Sequence, residues 1–112
     1  MEEKFVIEFL PEAVEFLESL DDKAREKIYY NLKKTQFIND NELFKKLNAN
    51  IWDFRTLYQG NAYRLFAFWD KSKIQDTLVL ATHGIMKKSN KTPPKEIKKA
   101  ENIRTLYLDN KN

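Results

Sequence analysis

From Lys4 to Phe9 the chain alternates, with Phe5, Ile7 and Phe9 on one side and Lys4, Val6 and Glu8 on the other, which predicts a first strand with one mostly buried face. Pro11 ends this strand and suits the first position of a helix, where its missing N–H would have no partner anyway. Ala13, Phe16, Leu17 and Leu20 then recur at helical spacing. Asp21 and Asp22 can cap a second helix beginning at Lys23, with Ala24, Ile28 and Leu32 as its inward stripe. A helical hairpin is the expected result.

After a polar stretch around residues 39–41, three runs rich in aromatic and branched side chains follow, at residues 51–58, 62–69 and 76–83. Turn residues separate them, Gln59-Gly60-Asn61 in the first case and residues 70–74 in the second. Such short connections favour an antiparallel meander over parallel crossovers. A last helix is expected from Pro93-Pro94, with Thr92 as cap and Ile97, Ala100, Ile103 and Tyr107 turned inward. The chain therefore reads as an α+β fold: an antiparallel sheet, an N-terminal helical hairpin and a C-terminal helix, with the helices on one face and the other face open and polar. Function is expected on that open face.

At 112 residues, 42% of them apolar and including eight Phe, five Tyr and two Trp, the chain suits one domain over residues 1–112 with a single packed core. There is no cysteine, which excludes a disulfide framework, a thiolate zinc site and a cysteine nucleophile. The start, Met1-Glu2-Glu3-Lys4, lacks the layout of a secretory signal, and apolar runs such as residues 65–69 fall far short of the roughly 20 residues of a membrane span. A cytoplasmic protein with no membrane partner is expected. Gly60 and Gly84 are the only glycines, so a phosphate-cradling glycine loop is missing and nucleotide-dependent chemistry is not expected.

The net charge of +3 hides an asymmetry. Residues 1–45 carry 11 acidic and 7 basic side chains, whereas residues 85–112 carry 8 basic and 3 acidic. In the basic end, Lys87, Lys88, Lys91, Lys95, Lys98 and Lys99 have only Glu96 as local counter-charge. That pattern fits a phosphate-binding surface, and equally a solvated helix start.

Arg55 and Arg64 sit inside otherwise apolar strands, and a guanidinium placed there needs a carboxylate or a phosphate, either of which it can hold with two hydrogen bonds. Arg55 has Asp53 on its own strand face as a structural partner, whereas no acidic residue adjoins Arg64 within its strand. His83, the single histidine, is placed at the end of the last strand, where it is either a packed, capping residue or a proton carrier. One histidine with no cysteine and no clustered carboxylates makes a poor metal site, and no cofactor is expected. Trp52, Phe54, Tyr58, Tyr63, Phe66, Phe68 and Trp69 are mostly core, although any that face outward can stack on bases. Alternation sets Trp52, Phe54 and Tyr58 opposite Asp53 and Arg55, so the first set is expected under the helices.

Together, Ile51-Trp52-Asp53-Phe54-Arg55, Tyr63-Arg64-Leu65-Phe66, and the stretch His83-Gly84-Ile85-Met86-Lys87-Lys88 with Lys91-Thr92-Pro93 and Glu96-Ile97 resemble the W-E-L-R, Y-R-I, L-H-G-F-x-K-K and K-T-P pattern of phage-derived HigB-like toxins in the RelE/ParE superfamily. The likeness spans about residues 5–108. Asp53 replaces the pattern's Glu, Ile85-Met86 replace its Phe, and the tyrosine that some RelE relatives carry near the last segment has no match.

The resemblance implies the toxin of a type II toxin–antitoxin system: a ribosome-dependent endoribonuclease needing no metal, in which a ribose 2′-OH attacks the neighbouring phosphate. Its implied partners are a cognate antitoxin, often a helix-turn-helix protein, and the ribosome with its messenger RNA. It further implies Arg64 as the phosphate clamp, Arg55 as a second clamp, His83 as acid/base and Lys87 as a source of stabilising charge, with Lys88, Lys91 and Lys95 on the RNA backbone. Two other activities fit the same fold: a ParE-like gyrase inhibitor without RNA chemistry, or an inactive toxin serving as an antitoxin-bound co-repressor.

Overall fold

A computed structural model describes residues 2–71, 78–88 and 91–110. Its elements are β1 (Val6–Phe9), α1 (Pro11–Glu18), α2 (Asp22–Phe37), β2 (Phe44–Lys46), β3 (Trp52–Tyr58), β4 (Asn61–Asp70), β5 (Leu78–Lys87) and α3 (Pro94–Asp109). The five strands form one sheet in the order β1-β5-β4-β3-β2. Neighbours from β2 to β5 run antiparallel, whereas β1 joins the far edge parallel to β5, with Val6 opposite Leu78 and Phe9 opposite Ala81. The turn expected across residues 70–74 lies largely outside the described residues.

The start signals act much as the sequence suggests. Pro11 is the first residue of α1, and the Asp21 carboxylate accepts from the Ala24 N–H at 2.8 Å to cap α2. Arg25 closes the hairpin, its guanidinium donating to the carbonyls of Leu17 and Leu20 at the end of α1. α3 differs. Pro93 occupies its cap position without a side-chain bond, and Thr92, one residue too early to cap, turns to the sheet instead.

β3 and β4 meet in a two-residue turn in which Gln59 (φ 49°) and Gly60 (φ 79°) both take left-handed backbone, the geometry that matches the twist of a tight hairpin. This turn sets the register Leu57–Ala62, Arg55–Arg64 and Asp53–Phe66. Between β4 and β5 the register shifts at Phe66/Ala67, where Phe66 pairs with His83 and Ala67 with Ala81, leaving Thr82 as an extra residue whose hydroxyl donates to the Phe66 carbonyl.

Both faces of the sheet are covered, which corrects the expectation of one open face. Tyr63, Leu65, Ala67, Phe54, Val79 and Ala81 pack beneath Ala13, Leu17, Ala24, Ile28 and Leu32 of α1 and α2. Phe66, Phe68, Ile51, Leu78 and Leu80 form a second core against Ala100, Ile97 and Tyr107 of α3. As a central strand, β4 needs apolar residues on both sides, so its run of large side chains serves two cores at once. Gly84 lets α1 approach β5, since a Cβ there would lie 2.2 Å from the Phe16 ring.

α3 begins beside Arg64, where Thr92 touches it, and runs along β4 to Asp70, whose carboxylate accepts from the Tyr107 hydroxyl at 2.8 Å. It stops short of the β3–β4 turn. The rows Leu57–Ala62–Lys87 and Arg55–Arg64–Ile85 are therefore left at the uncovered end of the α3 face.

Candidate functional site

Asp53 organises this end. Its side chain is fully buried on β3, and the tight turn places Arg64 diagonally across from it on the same face, next to Arg55. Arg55 Nε donates to Asp53 Oδ1 at 3.0 Å, and an Arg64 terminal N–H donates to Oδ2 at 3.3 Å. The same Arg64 nitrogen donates to the Thr92 hydroxyl. One carboxylate thus holds two guanidiniums, and among the described residues the cluster carries one positive charge in excess.

The two arginines differ in access. Arg64 is only 3% exposed, and burial pushes its guanidinium below the ordinary arginine value; nearby Arg55 adds to this and Asp53 opposes it. The Arg55 side chain keeps 24% of its surface and lines a hollow of about 730 Å³ at the β2–β3 edge. Lys45 and Lys46 of β2 and exposed Leu57 line it too, and Glu42 is the only acidic side chain among the described lining residues.

His83, expected at the strand tip, stands mid-strand, because β5 continues to Lys87. It is 3% exposed and its ring stacks on Phe66 at 4.8 Å between centroids. Nε2 lies 3.1 Å from Glu96 Oε1 and Nδ1 lies 2.9 Å from Thr82 Oγ1. Because the carboxylate accepts, the proton belongs on Nε2, and Nδ1 is an acceptor that shares the single Thr82 hydroxyl proton with the more distant Phe66 carbonyl. His83 therefore pins the first turn of α3 to the sheet, one row beyond Arg64, with both nitrogens engaged.

Burial lowers the affinity of His83 for a second proton, with Lys99 acting in the same sense and the hydrogen bond to Glu96 against it. Unfolded, the ring takes up its proton near its ordinary value of 6.5. Folded, it does so only at lower pH, so its contribution to stability is complete above 6.5 and is lost as acidification proceeds toward the folded value. Urea midpoints of the wild type are expected to fall through this window, and His83→Gln to flatten that part of the profile. Parallel profiles for the two proteins would exclude His83 as the source.

The lysines are spread more widely. Lys87 lies opposite Ala62, on the Arg64 face and one row outward. Lys88 is exposed just past β5, Lys91 is exposed immediately before Thr92, and Lys95 is exposed in the first turn of α3. The structure thus brings Arg55 and Arg64 together, sets Lys87 beside them, and leaves Lys88, Lys91 and Lys95 on the surrounding surface. Asp53 as a shared partner, Lys45 and Lys46 were not singled out from sequence. Asp53 had a usable signal, since counting outward from a two-residue turn at Gln59-Gly60 sets Arg55 opposite Arg64. Among the described residues, no group of three or more histidine, aspartate and glutamate side chains is arranged to hold a metal ion.

A family model, phage derived protein Gp49-like (DUF891), matches residues 15–105. The chain belongs to this family. Gp49-like proteins stand among the RelE-type toxins of type II toxin–antitoxin systems, and a toxin of that kind has a cognate antitoxin as its partner. No curated protein is similar enough to this Gp49-like chain to match it. The matched span contains β2 to β5, both arginines, Asp53 and the start of α3 with Thr92 and Glu96, so the whole cluster lies inside it. No helix among its described residues is long and apolar enough to cross a membrane.

Proposed function

We propose that this Gp49-like protein is a HigB-like toxin that cuts messenger RNA on the ribosome. In that reaction the 2′-oxygen attacks the adjacent phosphorus, the bond from phosphorus to the 5′-oxygen breaks, and the proton lost by the 2′-hydroxyl is matched by one gained at the leaving oxygen. The observation that supports it is the two-arginine cluster on Asp53, set at the end of the sheet that α3 leaves uncovered and open to a hollow lined by Lys45 and Lys46.

In this reading Arg55 contacts the phosphate and offsets the charge that builds on it in the transition state. Arg64, buried against Asp53 and Thr92, is a positioning residue: it holds the carboxylate that aims Arg55, and its positive charge adds to the field at the phosphate. Lys87 supplies further charge from the next row, and Lys88, Lys91 and Lys95 guide the RNA backbone. His83 holds Glu96 and the start of α3, and so keeps Thr92 on Arg64.

Inducing the gene without its antitoxin is expected to arrest growth, with primer extension on a translated message showing new 5′ ends inside ribosome-bound codons. Intact messages with blocked DNA supercoiling would replace this reading by gyrase inhibition. Intact messages with normal growth would leave a co-repressor.

A further inference from the structure

A second hollow, of about 530 Å³, opens on the other side of Lys46, where the β2–β3 connection, the end of β4 and the last turns of α3 meet. Trp52 and Trp69, the protein's two tryptophans, line it with their rings 6.1 Å apart and at 76° to each other. Lys46, Lys71 and Arg104 surround them, and none of the described lining residues is acidic. Of the three acidic residues that adjoin the lining in sequence, Asp53 and Asp70 are fully buried, Asp70 being held by the Tyr107 hydroxyl, and Asp109 is exposed at the end of α3. Glu101 of α3 is engaged by Asn48, whose own carbonyl oxygen accepts from the N–H groups of Asn50 and Ile51 and shapes the rim.

Trp52 packs on Phe44 and Trp69 on Phe5, and the part of each indole left open at the hollow lies beside cations with no carboxylate partner among the described residues, which suits an unpaired base flanked by phosphates: the open ring surface can stack and the cations offer charge. An acidic peptide would satisfy the cations and leave the indoles without a matching flat partner, and a duplex would keep its bases out of a recessed site. This hollow and the one at Arg55 share Lys46 and Trp52 as lining residues. Trp52 is three residues from Arg55 along β3, about 10 Å. The two residues lie on opposite faces of β3, so a single strand reaches both by crossing the β2 edge of the sheet at Lys46.

We propose that the Trp52–Trp69 hollow is a binding site for single-stranded RNA, which holds a nucleotide flanking the one presented to Arg55. The choice of RNA rests on the nuclease reading above. The test is direct, because both tryptophans report from the site. Titrating the full chain with a 2′-O-methyl oligoribonucleotide, which cannot be cut, is expected to quench tryptophan emission to saturation. The double variant Lys71→Ala/Arg104→Ala is expected to raise the Kd about tenfold and to lower the salt slope by the share of about two phosphate contacts. No quenching at low salt, or a titration unchanged in the double variant, overturns the proposal. Quenching by a polyglutamate peptide and not by the oligoribonucleotide overturns it in favour of an acidic protein segment. If the wild type cuts no message while the oligoribonucleotide still quenches in this pattern, the site stands and only the nuclease reading falls.

Discussion

Arg55→Gln is expected to lower the rate of message cutting on programmed ribosomes by about 10²–10³, equal to roughly 3–4 kcal/mol of transition-state stabilisation. Arg55 is the guanidinium with open surface in the cluster, so the charge facing a phosphate is lost with it. Glutamine keeps a polar group of similar reach, and Asp53 retains Arg64, so thermal unfolding should move little. Arg55→Lys should recover part of the rate, because it restores charge without the planar two-point grip. Single-turnover cutting within a few-fold of wild type in Arg55→Gln would remove this residue from the reaction.

Asp53→Ala should be the most damaging single change to stability. It leaves Arg64, 3% exposed and ion-paired to this carboxylate, as a buried cation deprived of its counter-charge. Breaking a buried pair in this way costs about 3–5 kcal/mol, a large part of the roughly 5–15 kcal/mol that holds a small domain folded. The double variant Asp53→Ala/Arg64→Met removes the stranded charge and is expected to unfold at higher urea than Asp53→Ala alone, a coupling that independent sites would not show. A loss below about 1 kcal/mol for Asp53→Ala would mean that water or another group reaches Arg64 and the pair is not the keystone described here.

Much of the architecture is legible from periodicity. Alternation in β3 separates Trp52, Phe54 and Tyr58 from Asp53 and Arg55, and the structure keeps them on opposite faces, with the aromatic set toward α1 and α2. The caps at Pro11 and Asp21 are local signals, decided by a few backbone groups, and they act where the sequence places them. β2 left no such trace. It is three residues long, too short for a period, and exists because β3 offers it an edge to pair with.

What the sequence hid was long-range. Arg64 has no acidic neighbour in its own strand, and its partner comes from across the hairpin. Phe66 and Phe68 share a face with Arg64, a mixture from which alternation cannot say which face of β4 is buried; α3 covers the two rings and begins beside the arginine. The sequence places His83 at the end of its strand, yet β5 runs on through Gly84, which admits the Phe16 ring of α1, to Lys87. The burial of His83 against Phe66 and its bond to Glu96 come from residues distant in sequence, so neither contact can be read from the residues around it.

The parallel pairing of β1 with β5 also bears on how the molecule is made. β1 has no partner in the sheet until β5 has been made, because Val6 to Phe9 wait for Leu78 to Ala81, far along the chain. Closing so long a loop delays folding, and until then Phe5 and the undersides of α1 and α2 are uncovered. A chain that ends before β5 therefore exposes apolar surface that the finished sheet hides, the kind of surface through which incomplete chains associate.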